Sequence, residues 1–146
     1  MKFAIFATPL LCVSLGCLGQ NSAPAKCPIS ISHLMLPYNH VEGKSLPQVQ
    51  LSFTNDTHQR IIKARFKLSV LDAQGSEQPY DQALTFTAGV DPGKTASSQW
   101  DLPATSVDIH RTGEIVYLTS VRFQDGTSWK DDGNLRCEYK VDYSPR

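Results

Sequence analysis

The chain has 146 residues, a length that fits one domain around a single core. Its 14 lysines and arginines balance 14 aspartates and glutamates, leaving no net charge with neutral histidines. That balance argues against nucleic acid, and against an anionic membrane surface, as a partner recognised through whole-chain charge.

Lys2 precedes an apolar run from Phe3 to Leu18, broken only by small residues and Pro9. The run falls short of the roughly 20 apolar residues of a membrane span. With its single basic start and small-residue exit it reads as a secretory signal peptide. Two cleavage points compete. Ala23-Pro24-Ala25 would make 1–25 the leader and 26–146 the single mature domain. Val13-Ser14-Leu15-Gly16-Cys17 resembles a lipobox, which would end the leader at residue 16 and place a lipid anchor on Cys17. Ser14 stands where a lipobox has leucine, and this favours the soluble product. Either way the expectation is an exported protein, periplasmic or extracellular, with no transmembrane segment in the mature chain. Loss of Lys2 leaves 13 basic against 14 acidic side chains.

Cys12 and Cys17 belong to the leader or its edge, so Cys27 and Cys137 alone are certain to remain. One cysteine at each end of an exported domain predicts a disulfide. Closing a loop of about 110 residues contributes roughly 4–5 kcal/mol in the chain-entropy account.

From there onward the pattern is alternation with a period of two, punctuated by turns. Cys27, Ile29 and Ile31 share one parity and Leu34 and Leu36 the other, so a bulge near Ser32-His33 would turn both sets inward. Pro37 to Pro47, with Tyr38, Asn39 and His40, reads as a polar loop flanked by prolines. Val49 to Phe53 alternates and Thr54 to Thr57 turns; Ile62 to Val70 alternates and Asp72 to Gly75 turns. Ala83 to Thr87 and Thr95 to Leu102 are further strands, and Pro103 to Gly113 is a longer connection. Glu114 to Phe123, apolar on nearly both faces, predicts a central strand. For the closing hairpin, a three-residue loop Gln124-Asp125-Gly126 pairs Val121 with Trp129 and takes the indole to the core face, with Gly126 at positive φ. Arg136 to Tyr143 alternates again. The expected fold is all-β, an immunoglobulin-like antiparallel β-sandwich of about seven strands with one disulfide; an up-and-down barrel is the alternative.

Leu68-Ser69-Val70-Leu71-Asp72, then Gly75, then Asp91-Pro92-Gly93-Lys94, resembles the FxLYD-type sandwich modules of secreted bacterial proteins. Val121 to Trp129 is similar to the final hairpin of small exported sandwiches. Leu68 stands where the motif has Phe, and Leu71 where it has Tyr. The resemblance implies the fold and carries over no catalytic residue.

Four groups of side chains are candidates for chemistry. Asp108 and His110 share a face if extended, as an acid–base pair or half a metal site would, but a solvated connection explains them better. Asp125, Asp131, Asp132 and Asn134 gather oxygens without the EF-hand spacing, which leaves calcium open beside ordinary turn chemistry. Lys63, Arg65 and Lys67 form a basic stripe, with Arg122 expected beside it, that could hold an anionic glycan, lipid head group or acidic partner; the plainer reading is solubility, with acids pairing across. Two loops, with Tyr38, Asn39 and His40 in one and Asp108, His110 and Arg111 in the other, are where a rigid sandwich would present binding residues. Asn55-Asp56-Thr57 matches a glycosylation sequon but is more simply a turn, and Trp100 and Trp129 suit a core. No nucleophile elbow, zinc motif or catalytic dyad stands out. The sequence thus predicts a non-enzymatic binding or accessory module without cofactor or resident metal, its partner a protein or glycan of the cell envelope. The alternative is an inhibitor or assembly factor acting through an edge strand.

Overall fold

A computed structural model describes residues 26–103 and 110–143. Residues 1–25, with the expected leader, its two candidate cleavage points, Cys12 and Cys17, the segment 104–109 with Asp108, and residues 144–146 lie outside the described residues. The strands are β1 (Ile29–Met35), β2 (Tyr38–Val41), β3 (Lys44–Asn55), β4 (Ile61–Leu71), β5 (Glu77–Pro79), β6 (Leu84–Phe86), β7 (Thr95–Asp101), β8 (Gly113–Phe123), β9 (Ser128–Lys130) and β10 (Glu138–Asp142).

All pairings are antiparallel and fall into two sheets. In the first, β1 and β2 follow one another along one edge of β3, and β7 pairs with its other edge. In the second, β4 and β8 pair at the centre; β5 and β6 share the outer edge of β4, and β9 and β10 the outer edge of β8. The broken strands are all edges. Merged, the segments occupy seven strand positions, three facing four, in the order of an immunoglobulin-like sandwich. Central β8 is buried on both faces from Glu114 to Leu118, as its apolar run requires.

The core is made by the inward residues of three long strands: Val49, Leu51 and Phe53; Ala64, Phe66 and Leu68; Val116, Leu118 and, past a register shift opposite Arg65 and Phe66, Val121. Phe53 packs on Phe66 and Phe86 with ring centroids 5.4 and 5.1 Å apart, tilted or edge-on as aromatic quadrupoles favour. Cys27 and Cys137 are bonded, with Cα atoms 5.6 Å apart, and tie the entry to β1 in one sheet to the entry to β10 in the other.

Local irregularities set the phase. In β1 the register with β3 shifts between Ile31 and His33, and Ile29, Leu34 and Leu36 are all buried as a result. In β4 a second shift, between Ile61 and Lys63, corrects the expected alternation from Ile62: Ile61 is buried and Ile62 is 36% exposed. Ile61 is drawn in by reciprocal backbone bonds with Val90, 3.0 and 2.9 Å, that the local pattern does not reveal. The stretch Pro37–Pro47 is also corrected, from loop to hairpin. Tyr38 pairs with Pro47 and Val41 with Lys44, around a two-residue turn in which Glu42 and Gly43 have φ of 50° and 74°. Pro47 is tolerated because its missing N–H falls just beyond the β3–β7 ladder, where its carbonyl still accepts from Leu102 N–H.

The closing hairpin has the expected geometry. Phe123 N–H donates to the Thr127 carbonyl (2.9 Å), Gly126 N–H to the Phe123 carbonyl (3.0 Å), and Gly126 has φ of 88°. Val121 pairs with Trp129, whose half-buried indole packs against the core.

Candidate functional site

The outer face of the second sheet gathers positive charge. Lys63, Arg65 and Lys67 of β4 alternate with the buried Ala64, Phe66 and Leu68 and turn outward. Register across β4, β8 and β9 sets Lys63 opposite Arg122 and then Ser128, and Arg65 opposite Ser120 and then Lys130. A shallow, open groove runs here between Lys63, Arg65, Arg122 and Lys130, with Trp129 along it. The ion pairs of the described residues are Arg60–Asp91, Arg111–Glu114, Arg136–Asp132 and Lys140–Asp142. None involves the five cations of this face.

An ordinary solubility surface would place acids across the strands from these cations. Lys67 has such an acid in its row, Glu138 beyond Tyr117, but Lys63 faces Arg122, a like-charge pair that weakens the sheet. The sequence alone hides part of the cluster, because Lys130 lies on a three-residue strand. Its signal was the hairpin itself: pairing Val121 with Trp129 obliges Ser120 to meet Lys130.

A second polar cluster lies where β1 ends and β8 begins. Arg111 donates to the Leu36 carbonyl (2.6 Å) and stacks on the rings of Tyr38 and Tyr143, 5.5 and 5.8 Å from their centroids. Its Nε lies 3.8 Å from the carboxylate of Glu114, which is fully buried on the core parity of β8. The Tyr143 hydroxyl donates to the same carboxylate. Burial pushes the Glu114 carboxyl above its ordinary range, against the Tyr143 hydroxyl, the Arg111 charge and the Leu36 N–H, which lower it. Two residues of the expected binding loops, Tyr38 and Arg111, thus meet, but in a packed clasp. Asn39 and His40 are exposed on the β2–β3 hairpin, where His40 Nδ1 contacts Ser45 Oγ at 2.8 Å, and His110 is exposed beside the undescribed segment. Glu114 and Tyr143 escaped the sequence reading, although an acid in phase with Val116 and Leu118 was a signal.

The acidic candidates are engaged in turns. Asp131 accepts from the N–H groups of Gly133 (2.8 Å) and Leu135 (3.0 Å), Asp132 from Asn134 N–H (3.1 Å) and Arg136 (3.0 Å). Asp125 accepts from the amide and hydroxyl of Thr127, at 2.9 and 2.6 Å. Among the described residues no three His, Cys, Asp or Glu side chains group as metal ligands. Asn55 of the sequon is buried and bonds the carbonyls of Gln59 (2.8 Å) and Val90 (3.0 Å), so its amide is consumed by the turn. Trp100 donates to the Thr85 carbonyl (3.0 Å), joining the two sheets.

Two tyrosines make the polar clusters visible to titration. The Tyr117 hydroxyl donates to Glu77 at 3.0 Å, and burial, then Glu77, pushes it up to about 12. Burial and then Glu114 push Tyr143 up to about 12 as well. Because the folded values are raised, the stability these groups contribute is complete below their ordinary value of 10 and is lost as pH rises through about 12. Spectroscopic titration should show a late phenolate phase near 12, reduced by Tyr117→Phe and by Tyr143→Phe. A phase untouched by both substitutions would contradict these assignments.

No family model and no curated protein matches the chain. Among solved structures it is similar to a hypothetical protein from Peptoclostridium difficile 630, at 13% identity and a TM-score of 0.54, over 75% of this chain and 89% of the other. A Northeast Structural Genomics Consortium target aligns at 12% identity and a TM-score of 0.47, over 79% and 86%. The first likeness supports the fold and nothing further.

Proposed function

We propose that the protein is an exported, non-enzymatic binding module of the cell envelope or extracellular space, and that it holds an acidic polysaccharide on the outer face of its second sheet. The observation that carries this reading is the set Lys63, Arg65, Lys67, Arg122 and Lys130, five cations on one face that form no ion pair among the described residues. The stripe on β4 alone spans about 13 Å at the strand rise, longer than one phosphate or carboxylate and matched to a chain with repeated charges. Ser120 and Ser128 stand between the cations and offer hydroxyls to a sugar. A disulfide across the sandwich suits an oxidising compartment, which supports export.

Calorimetry with heparin or polygalacturonate, against neutral dextran, tests the reading. Binding should appear with the acidic polymers alone and weaken steeply with salt. Arg65→Glu or Lys130→Glu should each weaken it roughly tenfold, ~1.4 kcal/mol. Lys94→Glu, the same charge change on the exposed turn before β7, should leave it unchanged. Equal losses at all three positions, or equal binding of dextran, would refute the site.

A further inference from the structure

The first sheet ends in β7, whose outer edge pairs with no strand among the described residues. Leu102 N–H donates to the Pro47 carbonyl (2.8 Å) and Asn55 N–H to the Lys94 carbonyl (3.0 Å), which fixes the phase of the β3–β7 ladder. Bonded pairs alternate in an antiparallel ladder, so Ala96, Ser98 and Trp100 turn their amides to β3. Thr95, Ser97, Gln99 and Asp101 turn theirs the other way, where no strand pairs among the described residues.

Sheet edges are ordinarily blunted by bulges, prolines, charges or brevity. Every other edge here is treated so: β1 is bulged and separated from β2 by Pro37, β5 ends in Pro79, β5, β6 and β9 have three residues each, and β10 carries Glu138, Lys140 and Asp142. β7 has none of these devices. Its seven residues pair with β3 without a register shift, contain no Pro, Lys or Arg, and carry one charge, Asp101. That charge is already held by Gln48 Nε2 at 2.8 Å.

We propose that β7 pairs antiparallel with β7 of a second copy of this chain, about a two-fold axis at Ser98. This register overlaps the strands completely: Ser97 meets Gln99 of the second copy, Thr95 meets Asp101, and every outward amide finds a partner. The lone acid meets a hydroxyl and never its own copy, so no like charges face one another. On the outer face, the hydroxyl pair Ser52–Ser97 (2.7 Å) leads across the axis to Gln99 of the second copy, and the pair Thr54–Thr95 (2.8 Å) offers its hydroxyls to the facing Asp101. An edge with a single acid and a self-complementary register favours its own copy over an acidic peptide. Edge pairing buries less than a standard interface, so the dimer forms in the micromolar-to-millimolar range.

Sedimentation equilibrium of the mature protein, disulfide intact, should give a monomer–dimer equilibrium at concentrations below about 1 mM. Gln99→Pro removes an amide that faces away from β3, so the strand keeps its bonds while the dimer is lost. Ser97→Lys/Gln99→Lys sets lysines opposite each other across the axis and should also give monomer, with an unchanged melting temperature at low concentration. That second variant decides the matter if the proline variant fails to fold. A wild-type monomer, with or without an added peptide strand, or a dimer that survives both variants, would overturn the proposal.

Discussion

Phe66→Ala should destabilise the protein by about 3–5 kcal/mol, and Arg65→Ala, its neighbour in the chain, by no more than about 0.5 kcal/mol. The two residues point to opposite faces of β4. Phe66 has no exposed surface and lies between Phe53, at a centroid distance of 5.4 Å, and Trp100, at 6.4 Å. Its removal deletes the link between the centre of the core and the indole that joins the sheets, and rigid neighbours on three strands cannot close the cavity. Arg65 is exposed and makes no ion pair among the described residues, so its truncation removes little that folding gained. Urea melts should show a lower midpoint for Phe66→Ala at an unchanged slope, the mark of lost stability without a changed unfolded state. The reverse order would mean that the sheet is inverted. Together with the polysaccharide measurement, the pair separates folding from binding: on the proposed function, Arg65→Ala should keep the fold and weaken polysaccharide binding.

Legibility along this chain followed how locally each choice was determined. Ala64 to Val70 could be read because period-two alternation has one buried solution. The closing hairpin could be read because Trp129 needs burial and Gly126 needs a left-handed turn, and one loop length satisfies both. The β1 bulge was written in two sets of apolar residues with opposite parity. Ile61 and Ile62 could not be ordered the same way. Two adjacent isoleucines leave the phase to a bulge, and the bulge answers to Val90, some thirty residues on. The β2–β3 hairpin was hidden because its turn has Glu42 where Asn is customary, and because Pro47 looks like a breaker until its place at the end of a ladder is known. Of the basic face, the β4 stripe and Arg122 beside it were legible; the addition of Lys130 required cross-strand register, which no single strand encodes.

Glu114→Leu should cost about 3–5 kcal/mol, the range for stranding one partner of a buried ion pair, and more than Arg111→Met. The asymmetry follows from what each survivor can do. Arg111 Nε and Glu114 Oε2 stand 3.8 Å apart and neither has a hydrogen-bond partner, so their charges balance one another without a direct bond. Without Glu114, the guanidinium keeps the Leu36 carbonyl and the two tyrosine faces, but it cannot lose its proton. Without Arg111, the carboxyl can take a proton and become neutral. Its pKa is already raised by burial above the ordinary 4.5, and loss of the arginine charge removes one of the influences holding it down. For a group with a raised folded value, the stability it contributes is complete below the unfolded value and is lost as pH rises through the folded one. Arg111→Met should therefore approach wild-type stability near pH 4 and fall behind toward pH 8, while Glu114→Leu stays destabilised throughout. Arg111→Met/Glu114→Leu removes both charges and should recover most of the loss, since apolar replacement of a whole buried pair is often neutral. Denaturant melts of the three variants at acid and neutral pH check this. Equal and pH-independent losses in the single variants, adding in the double, would show that the two charges do not depend on each other.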